Sequence, residues 1–176
     1  MKALVFLLTL PLLSQAPAPP APLTQGPTPV ETMKRLAFLE GHWKGEGSMT
    51  MGPGRKVTFQ QTEAVGFKAG GAVVAVEGHG MDQGRPVHQA FAVISYDPAT
   101  KGYRMRSWLV SGLSKDFTLE LNAKGDGYTW GWDDPRTGKL RYSMTLTPEG
   151  KWREIGERSA DGTTWMPFFE MTLTKE

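Results

Sequence analysis

An all-β fold, a roughly ten-stranded antiparallel up-and-down β-barrel with one short N-terminal helix, is what this sequence predicts. Three observations carry the expectation. After Gly41 the chain divides into ten strand-like segments, roughly 42–51, 55–67, 72–81, 86–96, 102–111, 114–122, 127–133, 139–147, 151–159 and 164–174. Only short turn signals separate them, among them "GPG", "AGG", "DQGR", "DPATKG", "KGDG", "DDPRTGK" and "ADGT". Breaks that short join antiparallel neighbours as hairpins. Several segments also alternate apolar and polar residues, as a sheet with one wet face requires. A meander this long curls, and closing on itself removes both exposed edges. The alternative, a two-sheet sandwich, usually needs longer Greek-key connections, and the spacing offers none.

The chain begins with a different kind of segment. Lys2 is followed by "ALVFLLTLPLL", an apolar run too short to span a bilayer, and then by the small-residue stretch "SQAPAPPAP". That is the layout of a secretory signal peptide, expected over residues 1–16, with cleavage near Ala16 or Ala18 and a retained anchor as the alternative. Residues 17–29, "PAPPAPLTQGPTP", read as a proline-rich disordered spacer, which leaves 30–176 as the folded domain. The expected location is therefore secreted or periplasmic, with no membrane span after cleavage. With no Cys in the chain, stability must come from the core instead of disulfides. The formal net charge is +2, and the basic residues are interspersed with acids, so no nucleic-acid partner is expected.

The one helix follows from Thr28 as a cap, Pro29 at the first helical position and Glu31 in the first turn. Met33, Leu36, Ala37 and Leu39 follow helical spacing over about three turns, and Gly41 ends it. In the strands, alternation indicates which side chains point inward. Tyr128, Trp130 and Trp132 share one face, as do Leu140, Tyr142, Met144 and Leu146, and Trp165, Phe169, Met171 and Leu173. For 102–111 the face is left open: Tyr103, Met105 and Leu109 oppose Arg104, Arg106, Trp108 and Val110.

The first strand, "GHWKGEGSM", places Trp43, Gly45 and Gly47 on one face and His42, Lys44 and Glu46 on the other. A tryptophan followed by two positions without side chains suits a barrel end closed by an indole. The glycines then either leave interior volume or simply ease strand coiling. The expected cavity lining takes Trp43, Gly45 and Gly47 from this strand and Phe59 and Gln61 from the second. Phe91 is added from the fourth, Tyr128, Trp130 and Trp132 from the seventh, Tyr142 and Met144 from the eighth, and Phe169 and Met171 from the last. Further polar candidates are Gln60, Glu63, Gln89, Arg153, Glu154 and Arg158. Arg158, or Arg153, is expected to cover the Trp43 ring and help close the barrel.

"FLEGHWKGEG" resembles the Gly-x-Trp-x-Gly-x-Gly opening of nitrobindin-type barrels and, more loosely, the Gly-x-Trp signature of lipocalins and fatty-acid-binding proteins. "ISYDPATKGYRM" resembles a stretch typical of small exported bacterial lipocalin-like (calycin-type) proteins of unknown function. The resemblance to nitrobindin-type proteins implies ferric haem held by a histidine on a strand near the C-terminus. This chain has only His42, His79 and His88, so that ligand does not carry over. Haem through His79 or His88 is thereby demoted, and no cofactor is expected.

Other chemistry finds little purchase. Three scattered histidines and no Cys do not make a zinc site. No Gly-x-Ser-x-Gly elbow occurs. The pair Asp133–Asp134 belongs to the turn formula "DDPRTG". The expected function is a non-enzymatic carrier or sensor of a small apolar or amphipathic ligand held inside the barrel. The alternatives are a nitrobindin-like haem or nitrogen-oxide barrel, and a packed barrel whose outer wall binds another envelope protein.

Overall fold

The protein is represented by a computed structural model describing residues 26–52, 54–135 and 138–176. The expected signal peptide, most of the spacer, and Pro53, Arg136 and Thr137 lie outside the described residues. A helix α1 (Pro29–Met33) continues as a 3₁₀ turn (Lys34–Leu39). Ten strands follow: β1 (Gly41–Met51), β2 (Arg55–Lys68), β3 (Val73–Asp82), β4 (Arg85–Asp97), β5 (Gly102–Leu109), β6 (Ser114–Leu121), β7 (Gly127–Asp134), β8 (Gly138–Leu146), β9 (Trp152–Ser159) and β10 (Met166–Lys175). Each pairs antiparallel with the next, and β1 pairs with β10, so the sheet closes into a barrel of ten strands.

The helical segment shows how sequence spacing becomes geometry. Thr28 and Glu31 form a reciprocal capping box: the Thr28 side chain accepts from the Glu31 N–H, and the Glu31 carboxylate accepts from the Thr28 N–H at 2.7 Å. The expected continuous helix instead tightens after Met33. Met33, Leu36 and Leu39 recur every third residue, matching the three residues per turn of a 3₁₀ helix, and all three are buried. Ala37, expected on the same face, is exposed. The segment seals one end of the barrel, where the Tyr103 hydroxyl donates to Thr32 O at 2.9 Å and Trp43 Nε1 donates to Leu39 O at 2.8 Å.

Two expectations about strand faces are corrected. A bulge between Pro167 and Phe169 shifts the register of β10. An extra residue moves everything before it to the other face, so Trp165 is not inside with Phe169 and Met171. It lies under the Arg141 guanidinium, whose carbon is 4.1 Å from the ring centroid. In β5 the open question resolves with Tyr103 and Met105 buried and Arg104, Arg106 and Trp108 facing out.

Candidate functional site

A cavity of about 470 Å³ occupies the barrel and opens at the end opposite the helical segment. Its floor is Trp152, Glu154, Glu63 and Tyr128, all near the ends of strands that meet the sealed end. Beneath the floor Trp43 meets Trp152 edge-on, centroids 5.7 Å apart. One wall is a stack: Tyr142 lies between Trp130 (5.1 Å, 12°) and Trp132 (6.0 Å, 13°). Phe117, Met105, Ala90, Ala92, Val76 and Phe169 complete the sides. Leu109, Leu113, Ser114 and Lys115 form the mouth, where Leu113 is 68% exposed.

Glycines decide which side chains can lie across the interior. Three large inward residues of β2 each face a glycine in their cross-strand register: Phe59 opposite Gly47, Gln61 opposite Gly80, Glu63 opposite Gly78. A Cβ at Gly78 would come within 2.5 Å of Glu63 Oε1, and one at Gly80 within 2.6 Å of Gln61 Oε1. On β9, Gly156 seats the Tyr142 ring in the same way. Gly45 serves a closer approach still, since a Cβ there would lie 2.9 Å from Leu173 Cα on β10. The expectation that Gly45 and Gly47 leave interior volume is therefore corrected: neighbouring backbone and the Phe59 ring take that space.

The floor carries the electrostatic character of the site. Gln61 Nε2 donates to Glu63 Oε1 at 2.7 Å, and Trp152 Nε1 donates to Glu154 Oε2 at 3.2 Å. Burial pushes the Glu63 carboxyl up to about 7, against the lowering effect of the Gln61 hydrogen bond. Burial, then the negative charge of Glu63, pushes Glu154 up to about 8. The two acids thus share one electrostatic environment. Burial first, then both acids, also raises the Tyr128 hydroxyl well above its usual range. Tyr142 is likewise raised, through burial and then Glu154. Gln61 Oε1 is buried without a hydrogen-bond partner among the described residues.

His88 also faces the cavity, its ring packed beside Phe59 (6.4 Å) and Phe169 (5.7 Å), which touch each other at 6.1 Å. Burial lowers its pKa and favours the neutral imidazole. His79 points out, within hydrogen-bonding reach of Glu77 (3.3 Å) and Gln89 (3.4 Å).

Of the expected lining, Tyr128, Trp130, Trp132, Tyr142 and Phe169 lie on the cavity wall. Trp43, Phe59, Gln61, Met144 and Met171 are buried in the packing around it. Phe91 is corrected outright: it stands on the outer wall against Trp108, centroids 6.0 Å apart and the side chain exposed. Arg158 is corrected too. It is exposed near the open end of β9, six residues beyond Trp152, or about 20 Å along a strand. The cation over Trp43 is Lys175, its Nζ 5.3 Å from the ring. Gln60 bonds Glu46 at 3.0 Å and Arg153 pairs with Glu170 at 3.8 Å, both on the outside.

The inward placement of His88, Ala90 and Ala92 escaped the sequence reading because β4 carries apolar residues on both faces. The large Phe91 and Val93 compete with the small inward residues, and alternation alone does not choose between them. The available signal lay one strand earlier. "EGHG" spaces two glycines to match Gln61 and Glu63, which fixes the inward face of β3 and, by pairing with β4, of His88.

Residues 28–175 match the family model described as "Protein of unknown function (DUF1579)". No curated protein matches the chain. Among solved structures, the crystal structure of Rv2717c from M. tuberculosis is similar, with a TM-score of 0.64 and 14% identity, over 85% of this chain and 98% of that one. At that identity the likeness concerns the fold.

Proposed function

We propose, from the premise that the chain belongs to the DUF1579 family of proteins of unknown function, that it is a non-enzymatic carrier or sensor. It would be exported to the periplasm or the exterior and hold one small amphipathic molecule inside the barrel. The observation that carries this reading is the cavity: about 470 Å³, walled by stacked aromatic rings, with two buried carboxylates at its floor. Binding pockets commonly measure about 300–1,000 Å³ and combine an apolar wall with a few convergent polar groups. The export part rests on the basic start, apolar run and small-residue exit of residues 1–16.

A second reading, the haem barrel, draws support from His88. A neutral imidazole packed beside two phenylalanine rings inside the cavity would supply the haem iron with one nitrogen donor. It sits on β4, whereas the nitrobindin-type pattern implies a strand near the C-terminus.

One experiment separates the readings. Native mass spectrometry and absorption spectra are recorded on protein purified from its own envelope fraction, before and after haemin addition. The carrier reading expects a co-purifying organic molecule in one-to-one stoichiometry and no Soret shift on adding haemin. A sharp Soret band that His88→Ala abolishes would replace it with the haem reading. A chemically altered product from an added ligand would make the protein an enzyme instead.

A further inference from the structure

Resting on the carrier reading, we infer that the cavity selects an organic cation: an amphipathic amine whose ammonium sits between Glu63 and Glu154 while its flat body lies along Trp130, Tyr142 and Trp132. Both carboxylates line the cavity, and they are only 7% and 8% exposed. Each has one oxygen tied by a neutral donor, Gln61 Nε2 or Trp152 Nε1. Neither second oxygen makes a hydrogen bond among the described residues, and neither acid joins any of the described ion pairs.

Two acids buried this way are costly unless a positive partner compensates them. Among the described residues none stands at the floor. His88 is held toward its neutral form, and Lys115, the one lysine or arginine lining the cavity among the described residues, is exposed at the mouth with its Nζ 5.1 Å from the Trp132 ring. An ammonium entering past the aromatic stack would complete the arrangement. Its N–H groups would meet the two remaining carboxylate oxygens in charge-assisted bonds, and the indole and phenol faces favour a cation close by. An anion of the same size would instead be repelled unless both acids stayed protonated.

Three naphthyl probes of nearly equal size test the inference: 2-(1-naphthyl)ethylamine, 2-(1-naphthyl)ethanol and 1-naphthylacetate. Each is titrated into the full folded chain and into the double variant Glu63→Gln/Glu154→Gln, with tryptophan-to-naphthyl energy transfer and calorimetry as readouts. In the parent protein the amine should bind at least about tenfold tighter than the alcohol, and the acetate weakest. In the double variant the amine should lose its advantage over the alcohol, and the near-ultraviolet circular dichroism of the aromatic wall reports an intact cavity. Equal affinities in the parent, or acetate binding tightest, would overturn the cation inference and leave the carrier standing. No binding by any probe would remove the carrier reading and this inference with it. The parent series decides the matter even if the double variant fails to fold.

Discussion

Glu63 and Glu154 make the stability of this protein a function of pH in a direction opposite to that of ordinary surface acids. Their carboxyl groups have folded-state values near 7 and 8, against 4.5 for an exposed glutamate. Between those limits the folded chain holds protons that the unfolded chain has released, so stability falls as pH rises. His88 works the other way, but only below its ordinary value of 6.5, and Tyr128 and Tyr142 stay protonated well above neutrality. The window from pH 6.5 to 8.5 therefore isolates the two glutamates. The melting temperature should drop across it, by an amount corresponding to a few kcal/mol, and the double Gln variant should show a nearly flat profile and a higher value at pH 8.5. A parent protein equally stable at both ends would mean the acids are better solvated than their burial indicates. At this scale the sequence was only partly legible. Phe59, Gln61, Glu63 and Val65 visibly alternate with Gln60, Thr62 and Ala64, yet nothing local tells whether a face carrying both phenylalanine and glutamate is wet or buried. The glycines on the adjoining strands answer that, and they become visible only once the register is known.

Among the elements, the junction of β6 and β7 stands apart. Neighbouring pairs elsewhere share six or more registered residues, whereas β6 and β7 share two, Glu120↔Thr129 and Leu121↔Tyr128. Toward the mouth side chains bridge the gap instead: Phe117 packs on Trp132 at 5.5 Å, and Lys115 reaches over the same indole. A seam held by side chains can open without breaking a ladder of hydrogen bonds, and it borders the cavity directly. Amides of Lys115 to Thr118 that do not pair with β5 should exchange with solvent at least about tenfold faster than those of β3 and β4, and saturation with the naphthylethylamine probe should slow them. Uniform protection around the barrel would place ligand entry at the open mouth alone. Hairpin grammar, which predicted every strand in order, carries no information about how far two strands stay paired after the turn. Nor does a period-two pattern register a bulge, which is how Trp165 came to be expected inside.

The whole molecule is a cup, sealed at one end and open at the other, and the division of labour between its ends was the part most legible in the sequence. Closure follows from ten hairpin-linked strands, and the sealed end from a tryptophan set among glycines. The identity of the supporting contacts depended instead on which residues lie across the barrel, far apart in the chain. Trp43 is held by Leu39 O, the edge of Trp152 and Lys175, all at the base, while Arg158 belongs to the rim. If the base is a support and the floor above it the recognition surface, the two should separate on mutation. Replacing Trp43 with Ala removes a fully buried indole and should cost about 3–5 kcal/mol in urea unfolding. The ratio of amine to alcohol affinity should stay close to that of the parent under conditions where the variant remains folded. That ratio depends on Glu63 and Glu154, whose donors Gln61 and Trp152 remain in place. An unchanged unfolding midpoint would show that the helical segment seals the barrel without the indole. A lost preference at full folding would show that Trp43, through Trp152, positions the Glu154 carboxylate and belongs to the binding apparatus itself.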